Sequence, residues 1–315
     1  MEIVKDLMKM GILVDQEAID ALNNLKDTEL TVVVEKTKIE RPLVLTPELV
    51  SMYLKSTKYE IIKQFESKEA YTIQDIVEQL NKRYDFIQGL LMRKVELSNI
   101  VSINKCESGK LTVIGLVKKK EDSGTNDILE LEDKTGTLKA VISKDLGKDI
   151  KIDDVIAVYG NYNNKLLFGE TLRYPDVPLR KAGCSEKETR VSFIINYDFQ
   201  KQMDIDSEYI IISNCDGLDG VKQRYPRSKV FVIGTDIRSP CLINIDGVVF
   251  MIILDIDPLK ALKRRYVSID KTDFLVNTVP DIILTNREIE TNYKSISVIS
   301  KSVEINLKTR EINII

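Results

Sequence analysis

Apolar residues fill consecutive positions through the last third of this chain. The runs are VSFIINYD at 191–198, YIIISN at 209–214, KVFVIGTD at 229–236 and CLINIDGVVFMIILDID at 241–257, then PDIILTN at 280–286, SISVIS at 295–300 and SVEINLKTREINII at 302–315. A strand with one wet face alternates apolar and polar side chains; a strand apolar at successive positions is buried on both faces. The region therefore predicts a sheet or sheet sandwich covered on each side. KALKRRY at 260–266 reads as a basic helix between these strands.

One run stands out for its chemistry. YIIISNCDGLDG at 209–220 is a buried strand leading into a turn that presents Asp216 and Asp219. A strand that ends in carboxylates fixes oxygen ligands in place, a common construction for a metal site. Its usual partners are restricted here, because the chain has 0 histidines. That excludes Ser-His-Asp chemistry, histidine general bases and every histidine-containing metal centre.

Composition narrows the classes further. The chain is 43% hydrophobic and 30% charged, a globular balance. Lys+Arg 46 against Asp+Glu 49 leaves net −3, so bulk charge does not drive nucleic-acid binding and any such contact is a local patch. Cys106, Cys184, Cys215 and Cys241 form no CxxC pair and fit a reducing cytoplasm. No apolar run approaches the roughly 20 residues of a membrane span, and Met1 opens into an amphipathic pattern without a signal-peptide core. A chain of 315 residues accommodates about two or three domains.

Residues 1–94 read as a helical region. Ile3, Val4, Leu7 and Met8 share a face closed by Gly11, Asp15 caps a second helix, and Thr46-Pro47-Glu48 opens another. Thr72 and Asp75 form a capping box for a helix through Ile73, Ile76, Leu80, Tyr84, Ile87 and Leu91. TVVVE at 31–35 is compatible with a strand or a buried linker. From Val95 the period changes to short strands at 111–117, 127–133, 137–143, 153–162 and 165–170, separated by turn signals such as Asp122-Ser123-Gly124. This predicts a small Greek-key barrel, the OB-fold, over 95–170. Lys118, Lys119 and Lys120 on its first hairpin are DNA-binding candidates, with Tyr159 and Tyr162 as stacking candidates; a solvated loop and core tyrosines are the bland alternative. Lys263, Arg264 and Arg265 on the basic helix are further candidates, with solvent exposure the expected environment. TLRYPDVPLR at 171–180 opens a rigid proline-containing linker over 171–190.

In this order the segments resemble one family, the small subunit of archaeal family D DNA polymerase. The resemblance rests on IQDIVEQLNKRYDFIQGLLMRK, with its arginine-aromatic pair, on IGLV, LELEDKTG and YPDVPLR, on DGVKQRYP and on VEINLKTREI; it runs from about residue 73 to the C-terminus. It implies an α+β multidomain protein: an N-terminal helical region at 1–94, an OB-fold β-barrel, the linker, and a calcineurin-like metallophosphoesterase α/β sandwich at 191–315.

The family's ligand motifs are degenerate here. Its D-x-H is replaced by Tyr197 and Phe199; its G-N-H-D contracts to Gly234-Thr235-Asp236; its His-Gly reads Leu254-Asp255; and Arg287 and Ile289 occupy the last two histidine positions. Asp216 and Asp236 remain as leftover ligand candidates. A two-metal site holds its cations about 3.5–4 Å apart with a bridging carboxylate and flanking ligands, so one bridging aspartate is insufficient. Arg287 is a candidate to neutralise Asp216 in place of metal.

The resemblance thus implies a non-catalytic scaffold subunit with an inactive 3′–5′ exonuclease site and no cofactor. Its partners would be a large catalytic subunit and, through the complex, primer-template or single-stranded DNA. Two alternatives stay open. One is an exonuclease using Mg²⁺ or Mn²⁺ held only by carboxylates drawn from Asp198, Asp216, Asp219 and Asp236. The other is a free-standing OB-fold single-strand binder or regulatory paralogue.

Overall fold

A computed structural model describes the backbone of every residue except 1, 26, 55–58, 68, 69, 199, 201, 202, 216, 217 and 290. The side chains of 2, 3, 27–29, 31, 32, 35, 39, 52, 54, 218 and 219 also lie outside the description. The chain folds into two compact units, each discontinuous in sequence: residues 1–65, 181–255 and 280–315 form one, and 66–180 with 256–279 form the other.

The first unit begins with helices Glu2–Lys9, Gln16–Asn23, Asp27–Glu40 and Pro47–Leu54. A two-stranded parallel ladder, Leu13–Val14 with Val44–Leu45, ties the segments between them. Leu7, Ile12, Ala18, Leu22, Val33, Leu45, Val50 and Tyr53 form their core. The Thr46 hydroxyl caps its helix by accepting from Leu49 N at 3.3 Å, whereas Asp15 holds an N-cap position without a side-chain bond. TVVVE at 31–35 is neither strand nor linker; it lies inside Asp27–Glu40. Val33 is fully buried there and Thr37 Oγ1 donates to Val33 O at 2.7 Å. Burying that face overrides the β preference of the valines.

The apolar runs build two five-stranded sheets. One has the order Lys229–Val232, Tyr209–Ile212, Arg190–Ile194, Val303–Asn306, Ile312–Ile314, with the first three strands parallel. The other runs Ser297–Ile299, Ile282–Leu284, Val248–Ile252, Cys241–Ile245, Tyr59–Gln64, again with its first three strands parallel. Val191, Phe193, Tyr209 and Ile211 from one sheet share a core with Ile243, Phe250, Ile252 and Leu284 from the other. The 241–257 run is two strands, because Asp246 and Gly247 take positive φ and turn the chain between them. Tyr59–Gln64 pairs with Cys241–Ile245, so a segment assigned to the N-terminal region completes the second sheet.

The second unit is built on a closed barrel of Gly109–Asp122, Asn126–Asp133, Gly136–Ser143, Leu166–Arg173 and Val155–Asn163, in that order. Leu111, Val113, Val117, Leu129, Leu131, Ile156, Val158 and Leu167 fill it. Where the register shifts between Tyr159 and Gly160, a Cβ on Gly160 would meet Phe168 O at 2.0 Å; only glycine permits that approach. The helix Ile73–Met92, capped by both bonds of the Thr72/Asp75 box, packs Tyr84, Ile87 and Leu91 on Ile114, Val155 and Ala157. Residues 256–279, expected within the last domain, instead join this unit as the helix Pro258–Arg264 and the hairpin Tyr266–Ile269/Thr272–Leu275. Buried polar contacts hold them there: Arg264 Nε donates to Asp154 Oδ1 at 2.7 Å and the Tyr266 hydroxyl to the same oxygen at 3.0 Å. No described helix is long and apolar enough to cross a membrane.

Candidate functional site

Tyr197, Asp216 and Asp236 follow, in sequence, the C-terminal ends of the parallel strands Arg190–Ile194, Tyr209–Ile212 and Lys229–Val232. Strand Arg190–Ile194 leads to Tyr197, whose backbone N–H donates to Asn214 O at 3.0 Å. The bond ties two strand ends together and turns the tyrosine inward. Tyr197 is 7% exposed and packs among Ile194, Ile210, Ile212, Val221, Tyr225, Val230 and Val232. Its ring meets Tyr225 edge-on at 6.4 Å, and its hydroxyl accepts from Arg224 Nη1 at 3.2 Å. Burial, followed by the Tyr197 hydroxyl bond, pushes the Tyr225 hydroxyl well above its ordinary pKa. Tyr197 forms an aromatic plug with Tyr225 against Val221 of the helix Leu218–Arg224.

Asp236 sits in the turn after strand Lys229–Val232, and both its oxygens are engaged. Oδ2 accepts from Val232 N at 2.9 Å and Oδ1 from Lys222 Nζ at 2.8 Å. Thr235 occupies the same turn. Asp198 closes a local turn by accepting from Gln200 N at 2.9 Å. Phe199, Asp216 and the Asp219 side chain lie outside the described residues, so the pairing of Arg287 with Asp216 does too.

In the second sheet, Leu254 N donates to Ser239 Oγ at 2.9 Å. Asp255 and Asn286 exchange two bonds, each 2.8 Å. Arg287 is exposed, while Ile289 is half-buried and both donates to and accepts from Ser300 Oγ. Among the described residues no group of three or more Cys, Asp or Glu side chains is placed to hold a metal ion. The described strand ends are engaged with one another.

The basic candidates are dispersed. Lys118 pairs with Glu132 at 3.5 Å, Lys119 with Glu121, and Lys120 with Asp127 at 3.3 Å while donating to Gly147 O at 2.6 Å. They lie on barrel strand Gly109–Asp122, not on a loop. Lys263 pairs with Asp149 at 2.9 Å and lies 4.5 Å from the centre of the Tyr174 ring. Solvent exposure was expected for Arg264 and Arg265, but they are only 8% and 3% exposed. Arg265 Nε donates to Val276 O at 2.9 Å, and burial pushes its guanidinium down to about 10. The arginines of RR are thus internal struts between the helix and its neighbours.

A cleft of about 750 Å³ opens at the beginnings of the parallel strands, lined by Arg190, Glu208, Tyr225, Arg227 and Ser228 among others. Part of its wall, Arg224, Tyr225 and Pro226, belongs to the DGVKQRYP run, while its other charges come from separate turns and are of mixed sign.

Fold and site together define an α+β protein with a closed five-stranded barrel and a two-sheet sandwich whose described strand ends carry hydrophobic and hydrogen-bonded closures. No family model matches the chain. It is similar to curated proteins named DNA polymerase II small subunit. The Archaeoglobus fulgidus protein is 23% identical over 208 residues, covering 63% of this chain and 40% of the relative. The Pyrococcus abyssi protein is 33% identical over 148 residues, 44% of this chain and 24% of the relative. The matched stretch spans less than half the length of each. Solved structures match only in part: asparaginyl-tRNA synthetase from Pyrococcus horikoshii has a TM-score of 0.20 at 20% identity, over 21% of this chain and 20% of that one. The S. pombe Stn1-ten1 complex also scores 0.20, at 16% identity over 21% of this chain and 57% of that one. Scores this low carry no argument about fold or function.

Proposed function

We propose that this chain is a non-catalytic small subunit of an archaeal family D-type DNA polymerase. It supports a large catalytic subunit during DNA replication in the cytoplasm, and its own exonuclease site is lost. The names of the similar proteins support the class. The barrel order and the sandwich of partly parallel sheets support the OB-fold and calcineurin-like readings. The observation that carries the loss of activity is Tyr197, which fills the first ligand position of the resembled motif with a buried ring and accepts a hydrogen bond from Arg224. The engagement of Asp236 with Val232 and Lys222 supports the same reading, because a carboxylate bonded on both oxygens is a poor ligand for a cation. No cofactor is required on this reading.

Co-expression with the large polymerase subunit of the same organism tests it. A stable complex is expected, and 3′-end degradation in Mg²⁺ or Mn²⁺ is expected from neither the isolated chain nor the part of the complex it contributes. A chain that ignores the large subunit, or degrades 3′ ends in a manner abolished by Asp216→Asn, overturns the proposal.

A further inference from the structure

Among the described residues, strand Ile312–Ile314 pairs on one side only and is an edge of its sheet. Asn306 N donates to Glu311 O at 3.0 Å and Ile315 N to Ser302 O at 3.1 Å. Hydrogen-bonded and non-bonded positions alternate in an antiparallel ladder. The polar backbone groups of residues 311, 313 and 315 therefore point at the neighbouring strand. Those of Ile312 and Ile314 point away, toward the open edge.

The same two residues carry the apolar side chains. Ile312 stands opposite Ile305 and Ile314 opposite Val303, and directly opposed residues share a face. Val303 and Ile305 belong to the core between the two sheets. Ile312 and Ile314 thus continue the core-facing layer, yet they are 42% and 73% exposed. The result is an uncharged apolar ledge bordered by open backbone donors and acceptors. Sheet edges left uncovered are normally blunted by charge, proline or a covering element; Ile312-Asn313-Ile314 has neither charge nor proline.

The open backbone groups select an extended segment as the occupant, since a helix satisfies its own. A second copy of this chain is disfavoured by area. Two such strands meet through three residues a side, far short of the roughly 1,200–2,000 Å² of a stable interface. The strand must come from a protein already held by other contacts. We propose that this edge receives an extended segment of the large catalytic subunit, apolar at alternate positions, which adds a sixth strand to the sheet. The inference rests on the proposed function and names a surface for it.

The test uses the full chain with the large subunit. In hydrogen exchange, the Ile312 and Ile314 amides should exchange rapidly in the free chain and slow by at least about tenfold in the complex, while the Asn313 amide, already paired, changes less. Ile314→Pro removes an outward N–H, which edge strands tolerate, together with one isoleucine of the ledge, and Ile312→Lys/Ile314→Lys charges the ledge. Both should weaken the complex at least about tenfold with an unchanged melting temperature for the free chain. If the wild type forms the complex but these amides keep their rates and the variants bind equally, the added strand is refuted and the small-subunit reading survives. If the wild type forms no complex, the small-subunit reading falls, and this inference with it.

Discussion

Arg83 and Asp273, 190 residues apart, meet in a two-point ion pair in which their side chains are 5% and 6% exposed. Arg83 Nε lies 2.7 Å from Asp273 Oδ2, and the guanidinium stacks 4.1 Å from the centre of the Tyr266 ring. Burial works against the Arg83 charge, but the bonds to Asp273 and the neighbouring Tyr266 and Asp153 outweigh it and raise its pKa. The pair fastens the hairpin at 266–275 to the long helix. Arg83→Met should destabilise the barrel unit by about 3–5 kcal/mol, because Asp273 is left buried and unpaired. Arg83→Met/Asp273→Leu should recover most of the loss. Hydrogen exchange of the barrel amides measures both, and a single variant no weaker than the double contradicts the account.

Tyr197→Asp restores the chemical type of the resembled motif but not its surroundings. It places a carboxylate among Ile194, Ile210, Val221 and Val232 and removes a large buried ring. A loss of about 3–5 kcal/mol is expected, with no gain of manganese-dependent nuclease activity. Tyr197→Phe keeps the ring but loses the hydroxyl's bonds with Arg224 and Tyr225 and should cost about 1–2 kcal/mol. Nuclease activity appearing in the Tyr197→Asp chain would mean that the remaining ligands are in place after all.

Asp127 gives the barrel an acid-sensitive joint. The bond from Lys144, followed by Lys120, holds its carboxyl below the ordinary 3.8. A depressed folded-state pKa contributes stability that is present above the unfolded value and lost as pH falls through the folded one. Stability should therefore decline as pH drops below about 4, and Asp127→Asn should flatten that limb in a series of thermal melts. A Cβ on Gly147 would sit 2.1 Å from Asp127 Oδ2, so Gly147→Ala should disturb the same joint. An unchanged acid limb in Asp127→Asn removes Asp127 from the explanation.

The four thiols should label in a fixed order. Cys184 is exposed and Cys106 and Cys215 are intermediate, while burial pushes the buried Cys241 thiol up to about 12. Iodoacetamide at pH 8 should modify Cys184 first and Cys241 only on unfolding, since the thiolate is the reactive form. Mass mapping of early time points decides it; early modification at Cys241 would show that the strand Cys241–Ile245 opens readily.

The apolar runs between 191 and 299 were legible because burial on both faces leaves few polar positions to confuse a strand with a turn, whereas the closing strands alternate or are exposed. The barrel strands were legible from their turns, and the long helix from its period and box. Other elements were hidden by tertiary context. The β-branched TVVVE is helical because Val33 enters a core formed with Leu7, Leu45 and Tyr53. Strand Tyr59–Gln64 reads YEIIKQ and gains its identity only from Cys241–Ile245. The hairpin 266–275 is half polar, and its attachment depends on Arg83, Asp154 and Asp273. At the candidate site, the family resemblance implied which ligand types were replaced. It did not show that Asp236 is held by Val232 N and Lys222, nor that Arg264 and Arg265 turn inward, because a basic run looks the same whether it faces water or a buried aspartate.

The pairing of Tyr59–Gln64 with Cys241–Ile245 also sets a schedule for synthesis. At about 5–20 residues per second, the ribosome makes the outer strand roughly 10–35 s before its partner exists. During that interval the barrel strands are made and have time to close on themselves, while YEIIKQ waits without a sheet. Its Glu60 and Lys63 suit a segment that must stay soluble while waiting. The sandwich is therefore sealed late, by the oldest of its strands. A premature stop between residues 174 and 240 would release a chain that holds every barrel strand but carries an unpaired Tyr59–Gln64.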